Sequence, residues 1–370
     1  MIARVREAGL DDIARKVEAG TRLSFDEGVR LFNAPDLFAV GWLANRVRER
    51  INGDRTYFNY NLRIEATNVC EASCLFCAFA RLQEGAPGAR TLTHEQMFAQ
   101  LRKRDDQPLT EVHMVNGLHP DLPFSYYTEL LTGLKRIRPT IHLKCFTAIE
   151  IAFFAEKYGK SDRQMLEELR AAGLDSLTGG GAEIFAPRVR QKISSDKCDA
   201  DRYISVHRTA HQMGMASTCT MLYGHIETLE ERVDHLLRLR ALQDETRGFQ
   251  AFIPLAFHPD NNQMRKLPAP SAVETLRVLA VSRLLLDNID HIKAYWVSCG
   301  VDVAQTALWF GADDLDGTVQ EETIYHMAGS KTPAVLSTRD IERLIRDAGR
   351  APVERDTLYN VIRTPQAVGA

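Results

Sequence analysis

The densest chemistry in this sequence lies in Asn68-Val69-Cys70-Glu71-Ala72-Ser73-Cys74-Leu75-Phe76-Cys77, where three of the chain's seven cysteines fall within eight residues. Thiolates are soft ligands that suit iron–sulfur clusters, zinc and copper(I). A four-iron cubane ordinarily takes four cysteines. The spacing Cys70-x3-Cys74-x2-Cys77 therefore predicts a [4Fe-4S] cluster with three protein ligands and one iron left open to a substrate. Two plainer readings stand beside it. Zinc would ask for a second Cys-x-x-Cys or a histidine pair, and no such pair follows downstream. Burial as three small core residues is difficult on a polar-flanked turn that sets them so close together.

Other residues with chemical potential fall at the ends of predicted strands. Phe76 sits between the last two cysteines, where it can face an adenine ring or serve as a core aromatic. In Asn116-Gly117 the glycine lets the backbone approach a ligand and the asparagine can bond an ammonium or carboxylate; a plain turn is the alternative. The run Gly179-Gly180-Gly181-Ala182-Glu183 costs conformational entropy, so it marks a close approach to a ligand or to packed backbone. Glu183 there can accept from ribose hydroxyls or an ammonium. A phosphate cradle is less favoured, because no Lys-Ser/Thr follows the glycines. Gly224, in Tyr223-Gly224-His225-Ile226-Glu227, has the same placement or opens a turn into the helix capped at Thr228. Arg63, His113, His119, Lys144, Glu150, His258 and Lys293 are polar residues in or just past predicted strands. Cys145, Cys198, Cys219 and Cys299 are scattered.

The elements that must position these residues alternate. Residues 1 to about 57 read as helical, with apolar positions at helical spacing. Tyr57 to Thr67 alternates with period two and predicts one strand running straight into the cysteine loop. Strands are predicted at 111–115, 141–147, 176–178, 216–222, 248–256 and 292–297, each followed by a helical stretch, with a last unit over 304–316. Thr93-x-x-Gln96, Thr228-x-x-Glu231 and Ser337-x-x-Asp340 read as helix N-terminal caps. This pattern predicts a parallel (β/α)8 TIM-type barrel with chemistry at the C-terminal strand ends. The expected division is a helical N-terminal extension over 1–56, the barrel over 57–325, and a helical C-terminal extension over 326–370 packed on the barrel.

The 370 residues carry 45% hydrophobic and 26% charged side chains, ordinary globular proportions. A net charge of −3 argues against a nucleic-acid partner held by phosphate neutralisation. No apolar run approaches the roughly 20 residues of a bilayer span, so no membrane partner is expected. An odd cysteine count without an apolar N-terminal signal core predicts a reducing, cytoplasmic setting. The oligomeric state is not legible.

The cysteine spacing after a first strand resembles the radical S-adenosylmethionine superfamily. Within it, the segments 116–120, 176–185, 220–227, 291–296, 311–318 and 352–359 resemble the aminofutalosine synthase family, over about residues 57–362. The chain departs from that pattern at Asn116, Cys145, Thr178 and Thr218-Cys219. The resemblance implies an enzyme of menaquinone biosynthesis by the futalosine route. Its cluster is held by Cys70, Cys74 and Cys77, its co-substrate is S-adenosylmethionine, and an external donor supplies one electron. A 5′-deoxyadenosyl radical adds to 3-[(1-carboxyvinyl)oxy]benzoate and gives 6-amino-6-deoxyfutalosine, methionine and bicarbonate. Phe76, Asn116, Gly117, Gly180, Glu183 and Gly224 are then expected around the cofactor, and Arg63, His119 and Lys293 around this small dicarboxylate. Alternatives are the sibling cyclic dehypoxanthine futalosine and deazaflavin-forming synthases. From another class comes a zinc-stabilised, non-catalytic binding protein.

Overall fold

The computed structural model describes residues 1–364. Four helices come first, Ile2–Glu7, Asp11–Glu18, Phe25–Asn33 and Leu37–Asn52. Ser24 and Glu27 form a reciprocal cap on the third, and Asp36 accepts from the N–H groups of Phe38 and Ala39 to start the fourth. Such caps satisfy amides that the helix itself leaves unpaired. The fourth helix buries Val40, Leu43 and Ala44 and packs on the helix Ala272–Leu285.

Eleven strands follow. They are β1 (Arg55–Asn59), β2 (Asn61–Arg63), β3 (Glu111–Met114), β4 (His142–Thr147), β5 (Ser176–Thr178), β6 (Ser217–Tyr223), β7 (Phe249–Ala256), β8 (His291–Ile292), β9 (Asp314–Gly317), β10 (Ala351–Arg355) and β11 (Val361–Arg363). β2 to β8 make one parallel sheet of seven strands in sequence order, and β11-β10-β1-β9 make a second sheet of four. Crossover helices such as Phe124–Ile137 and Ala200–Gln212 cover the large sheet, as parallel strands require.

The large sheet is a curled, open half-barrel, which corrects the expectation of a closed eight-stranded TIM-type barrel. Its edge strands β2 and β8 do not pair with each other. The segment 313–320 lies in the seam between them and forms no ladder with either edge, only an isolated bridge on each side, Lys293 with Asp314 and Leu62 with Gln320, beside side-chain contacts. Asp316 and Val319 in this segment have φ of 69° and 49°, a conformation that cannot continue a regular ladder. The predicted strand 57–67 also breaks at Tyr60, and its two halves join different sheets. The strand predicted over 292–297 is short, because Trp296–Cys299 turns into helix.

The C-terminal segment holds the helix Thr338–Asp347 and then β10 and β11, so its later part extends the small sheet; residues 365–370 of the expected extension lie outside the described residues. One apolar core runs from Val5 to Ile345. Among the described residues no helix is long and apolar enough to cross a membrane.

Candidate active site

A cavity of about 280 Å³ opens inside the half-barrel at the C-terminal ends of its strands. Its walls include ten of the twelve residues singled out from the sequence: Arg63, Cys70, Cys74, Phe76, Cys77, Asn116, Gly117, Gly180, Glu183 and Lys293. His119 and Gly224 are not among them. His119 is buried, and its Nδ1 accepts the backbone N–H groups of Asp121 and Leu122 at 3.1 and 3.3 Å, so the ring organises the turn after β3. Gly224 has φ +90°, its N–H donates to Glu227, and a Cβ there would run into Pro270. It serves the turn into the next helix.

The cysteine loop is laced along the cavity rim by its backbone. The N–H of Cys70 donates to Arg81, that of Glu71 to Leu118 and that of Leu75 to Ile193, each over 2.9 Å. The three thiols do not form the expected cluster site. Among the described residues no group of three or more histidine, cysteine, aspartate or glutamate side chains is placed to hold a metal ion. Burial raises the thiols of Cys70 and Cys74, the latter to about 11. Cys77 Sγ accepts the N–H of Ala80 at 3.3 Å. This geometry corrects the expectations of a three-cysteine [4Fe-4S] site and of a zinc site alike.

Behind the loop the glycines turn out to serve packing. A Cβ on Gly117 would collide with the carbonyl oxygen of Val69, inside the cysteine loop, and one on Gly179 would lie 2.7 Å from the carbonyl oxygen of Thr218. Gly180 is less crowded, its nearest neighbour being Thr147 at 3.1 Å. Asn116 ties three segments together: its Oδ1 accepts from Ala66 N–H at 2.7 Å and its Nδ2 donates to Glu150 at 3.1 Å. Burial raises Glu150 to about 7 despite the N–H donors of Thr147 and Asn116. Glu183, at φ +48°, accepts from Lys197 Nζ at 2.8 Å, and that ammonium lies 5.3 Å over the Phe76 ring. Burial works against the charge of Lys197, but Cys74 and Glu183 overcome it and hold the ammonium above its usual range.

Deeper in the half-barrel the strand register brings charges together. Arg63 on β2 is level with His113 on β3, and His113 with Lys144 on β4. Asp316, from the seam, lies 2.9 Å from Arg63 and 3.3 Å from Lys293. Burial would raise its carboxyl, yet Lys293 and Arg63 hold it well below the usual range. Glu111 is likewise held low against burial, by Lys144 and His113, each 3.5 Å away. Burial and then Arg63 push His113 down to about 3, so it is neutral near pH 7. Glu65 is raised to about 7 by burial and by Glu322.

The structure thus sorts the polar strand residues: Arg63, His113, Lys144, Glu150, His258 and Lys293 line the cavity and His119 does not. Sequence reasoning missed Glu65, Lys197, Asp316 and Glu322 as cavity residues. A signal was present only for Glu65, which shares a face with Arg63 on a predicted strand.

Two family models match this chain, "Radical SAM superfamily" over residues 64–239 and "CofH/MqnC C-terminal region" over 246–368. Aminodeoxyfutalosine synthase of Thermus thermophilus is 48% identical, over 99% of both chains. This chain belongs to the radical SAM superfamily. The radical SAM chain is also 38% identical to a 5-amino-6-(D-ribitylamino)uracil–L-tyrosine 4-hydroxyphenyl transferase of Methanopyrus kandleri, over 96% of this chain and 98% of that one. Among solved structures, the FeFe-hydrogenase maturase HydG of Carboxydothermus hydrogenoformans aligns with a TM-score of 0.74 at 16% identity, covering 96% of this chain and 82% of that one. That likeness bears on the fold of this radical SAM enzyme alone. Membership in a superfamily of enzymes also sets aside the non-catalytic binding protein.

Proposed function

We infer that this radical SAM enzyme is an aminodeoxyfutalosine synthase of menaquinone biosynthesis by the futalosine route. The observation that carries this is 48% identity over 99% of both chains, against 38% for the hydroxyphenyl transferase. The reaction joins the 5′-deoxyadenosyl group of S-adenosylmethionine to the enol-ether double bond of 3-[(1-carboxyvinyl)oxy]benzoate. It takes up water and releases methionine and bicarbonate; an external donor supplies the electron that starts it, and that electron is returned when the last radical is re-oxidised.

The cavity suits that chemistry. A substrate with two carboxylates needs cations, and we assign Arg63 and Lys293 to one of the two. Glu183, with Phe76 beside it, is assigned to the adenosyl co-substrate. Apolar walls from Leu222, Ile253, Leu255 and Phe257 help exclude water from a reactive intermediate. The setting is the cytoplasm, where the seven unbridged cysteines stay reduced.

The test is anaerobic incubation of the purified enzyme with a one-electron reductant, S-adenosylmethionine and the enolpyruvyl benzoate, followed by mass spectrometry. The expected product is an adenosine–benzoate adduct. Release of 5′-deoxyadenosine with the aromatic substrate intact would count against the assignment.

A further inference from the structure

Asp316 occupies a backbone conformation, φ +69°, that glycine adopts freely and other residues resist. Holding a side chain there stores backbone strain, so the carboxylate must return something that glycine would not. It accepts hydrogen bonds from Arg63 at 2.9 Å and Asn61 at 3.1 Å, and from Lys293 Nζ at 3.3 Å. The donors come from opposite edges of the half-barrel, β2 and the residue after β8. Asp316 therefore fixes two cations across a seam that no strand ladder closes.

The charges leave an opening for an anion. Arg63 and Lys293 share the one carboxylate of Asp316, while Glu111 is engaged by Lys144. Arg63 is also 9% exposed, with its Nε buried and lacking a hydrogen-bond partner. A buried, unpaired donor on a cation calls for an acceptor. Depth says which acceptor. Arg63, His113 and Lys144 form one register-matched layer within the strands, whereas the cysteine loop and Gly179–Glu183 follow strand ends. The enol ether must meet the adenosyl group near those loops, so the ring carboxylate, across the benzene ring, falls on the layer below.

We propose that Asp316 is a positioning residue that sets specificity for the ring carboxylate of the aromatic substrate, by holding Arg63 and Lys293 as a pair. The assignment rests on the proposed activity, yet its test separates the two. Binding to the full chain is measured by calorimetry with 3-ethoxybenzoate, which has only the ring carboxylate, and with 2-phenoxyacrylate, which has only the enol carboxylate. In Asp316→Asn and Asp316→Gly, 3-ethoxybenzoate should bind about tenfold more weakly or worse, as expected for a misaligned charge-assisted pair. Binding of 2-phenoxyacrylate should change by less than about twofold, because its contacts lie elsewhere. The Gly variant relieves the backbone, so it carries the test if the Asn variant is unstable. Equal weakening of both probes, no weakening of either, or a thermal midpoint collapsed in both variants overturns the proposal. For the whole substrate the same variants should raise KM while kcat holds. A wild-type enzyme that binds 3-ethoxybenzoate but makes no adduct would refute the activity and leave the probe ratio to decide the role of Asp316.

Discussion

Lys144 keeps 3% of its side chain exposed and lies 3.5 Å from Glu111. Burial lowers its ammonium from the ordinary 10.5 to about 8. The sign follows directly: Lys144 is charged below about pH 8 and neutral above it, so the positive potential of the cavity falls through that range. KM for the enolpyruvyl benzoate should therefore rise as pH passes about 8, and Lys144→Arg, whose charge does not titrate there, should keep KM flat. A wild-type KM constant across that range would contradict this. Lys144 itself was legible as a polar residue in a predicted strand, as were Arg63, His113 and Lys293. Alternation shows that neighbouring residues face opposite ways, but not which face turns inward, so His119 could not be told from them. Asp316 was harder still. Its role exists through Lys293 and through Arg63, 253 positions away, and nothing local in the sequence announces that pairing.

At the scale of single elements, Gly117 couples the end of β3 to the cysteine loop. Its missing Cβ leaves room for the Val69 carbonyl, and its N–H donates to Thr67 at 2.9 Å. Gly117→Ala should lower stability by about 1–3 kcal/mol through overpacking against backbone that cannot yield. It should also displace the loop, lowering product formation more than the thermal midpoint alone explains; an unchanged midpoint and rate would remove Gly117 from this role. Local signals of this kind read well. The caps at Thr93, Thr228 and Ser337 all form, with hydrogen bonds of 3.1–3.3 Å to the third helical residue, because a cap needs only four consecutive residues. The strand 57–67 read less well: its polar positions are buried along with nearly all its apolar ones, and its division at Tyr60 was not legible, since alternation says nothing about which partner each half will find.

Across the molecule, the small sheet braces the cavity from behind. Arg355 on β10 is fully buried and donates to Asp314 at 2.8 Å, and Asp314 in turn bridges to Lys293. Arg355→Met fills similar volume but leaves the buried Asp314 carboxylate without its cation, with the Tyr359 hydroxyl and the Asp316 N–H left to donate to it, at a cost of up to roughly 3–5 kcal/mol. The urea midpoint should fall accordingly, and an unshifted midpoint would show that Asp314 does not depend on Arg355. The (β/α)8 reading failed at this scale for a physical reason. Repeating strand–helix units predict a parallel sheet, but closure depends on whether the last strand meets the first, and here 313–320 intervenes, its β9 pairing with β1 of the small sheet instead.

The pairing of β1 with β10 also bears on how the chain is made. Arg55 is matched with Ala351, so β1 leaves the ribosome before β2 to β8 and waits for a partner made after all of them. Contacts this distant in sequence form late, because the loop they close must be ordered first. The half-barrel can assemble strand by strand during translation, each unit docking on the one before. The brace behind Lys293 and Asp316 is then completed only after the half-barrel's own strands have been made, so the cavity acquires its walls before its floor.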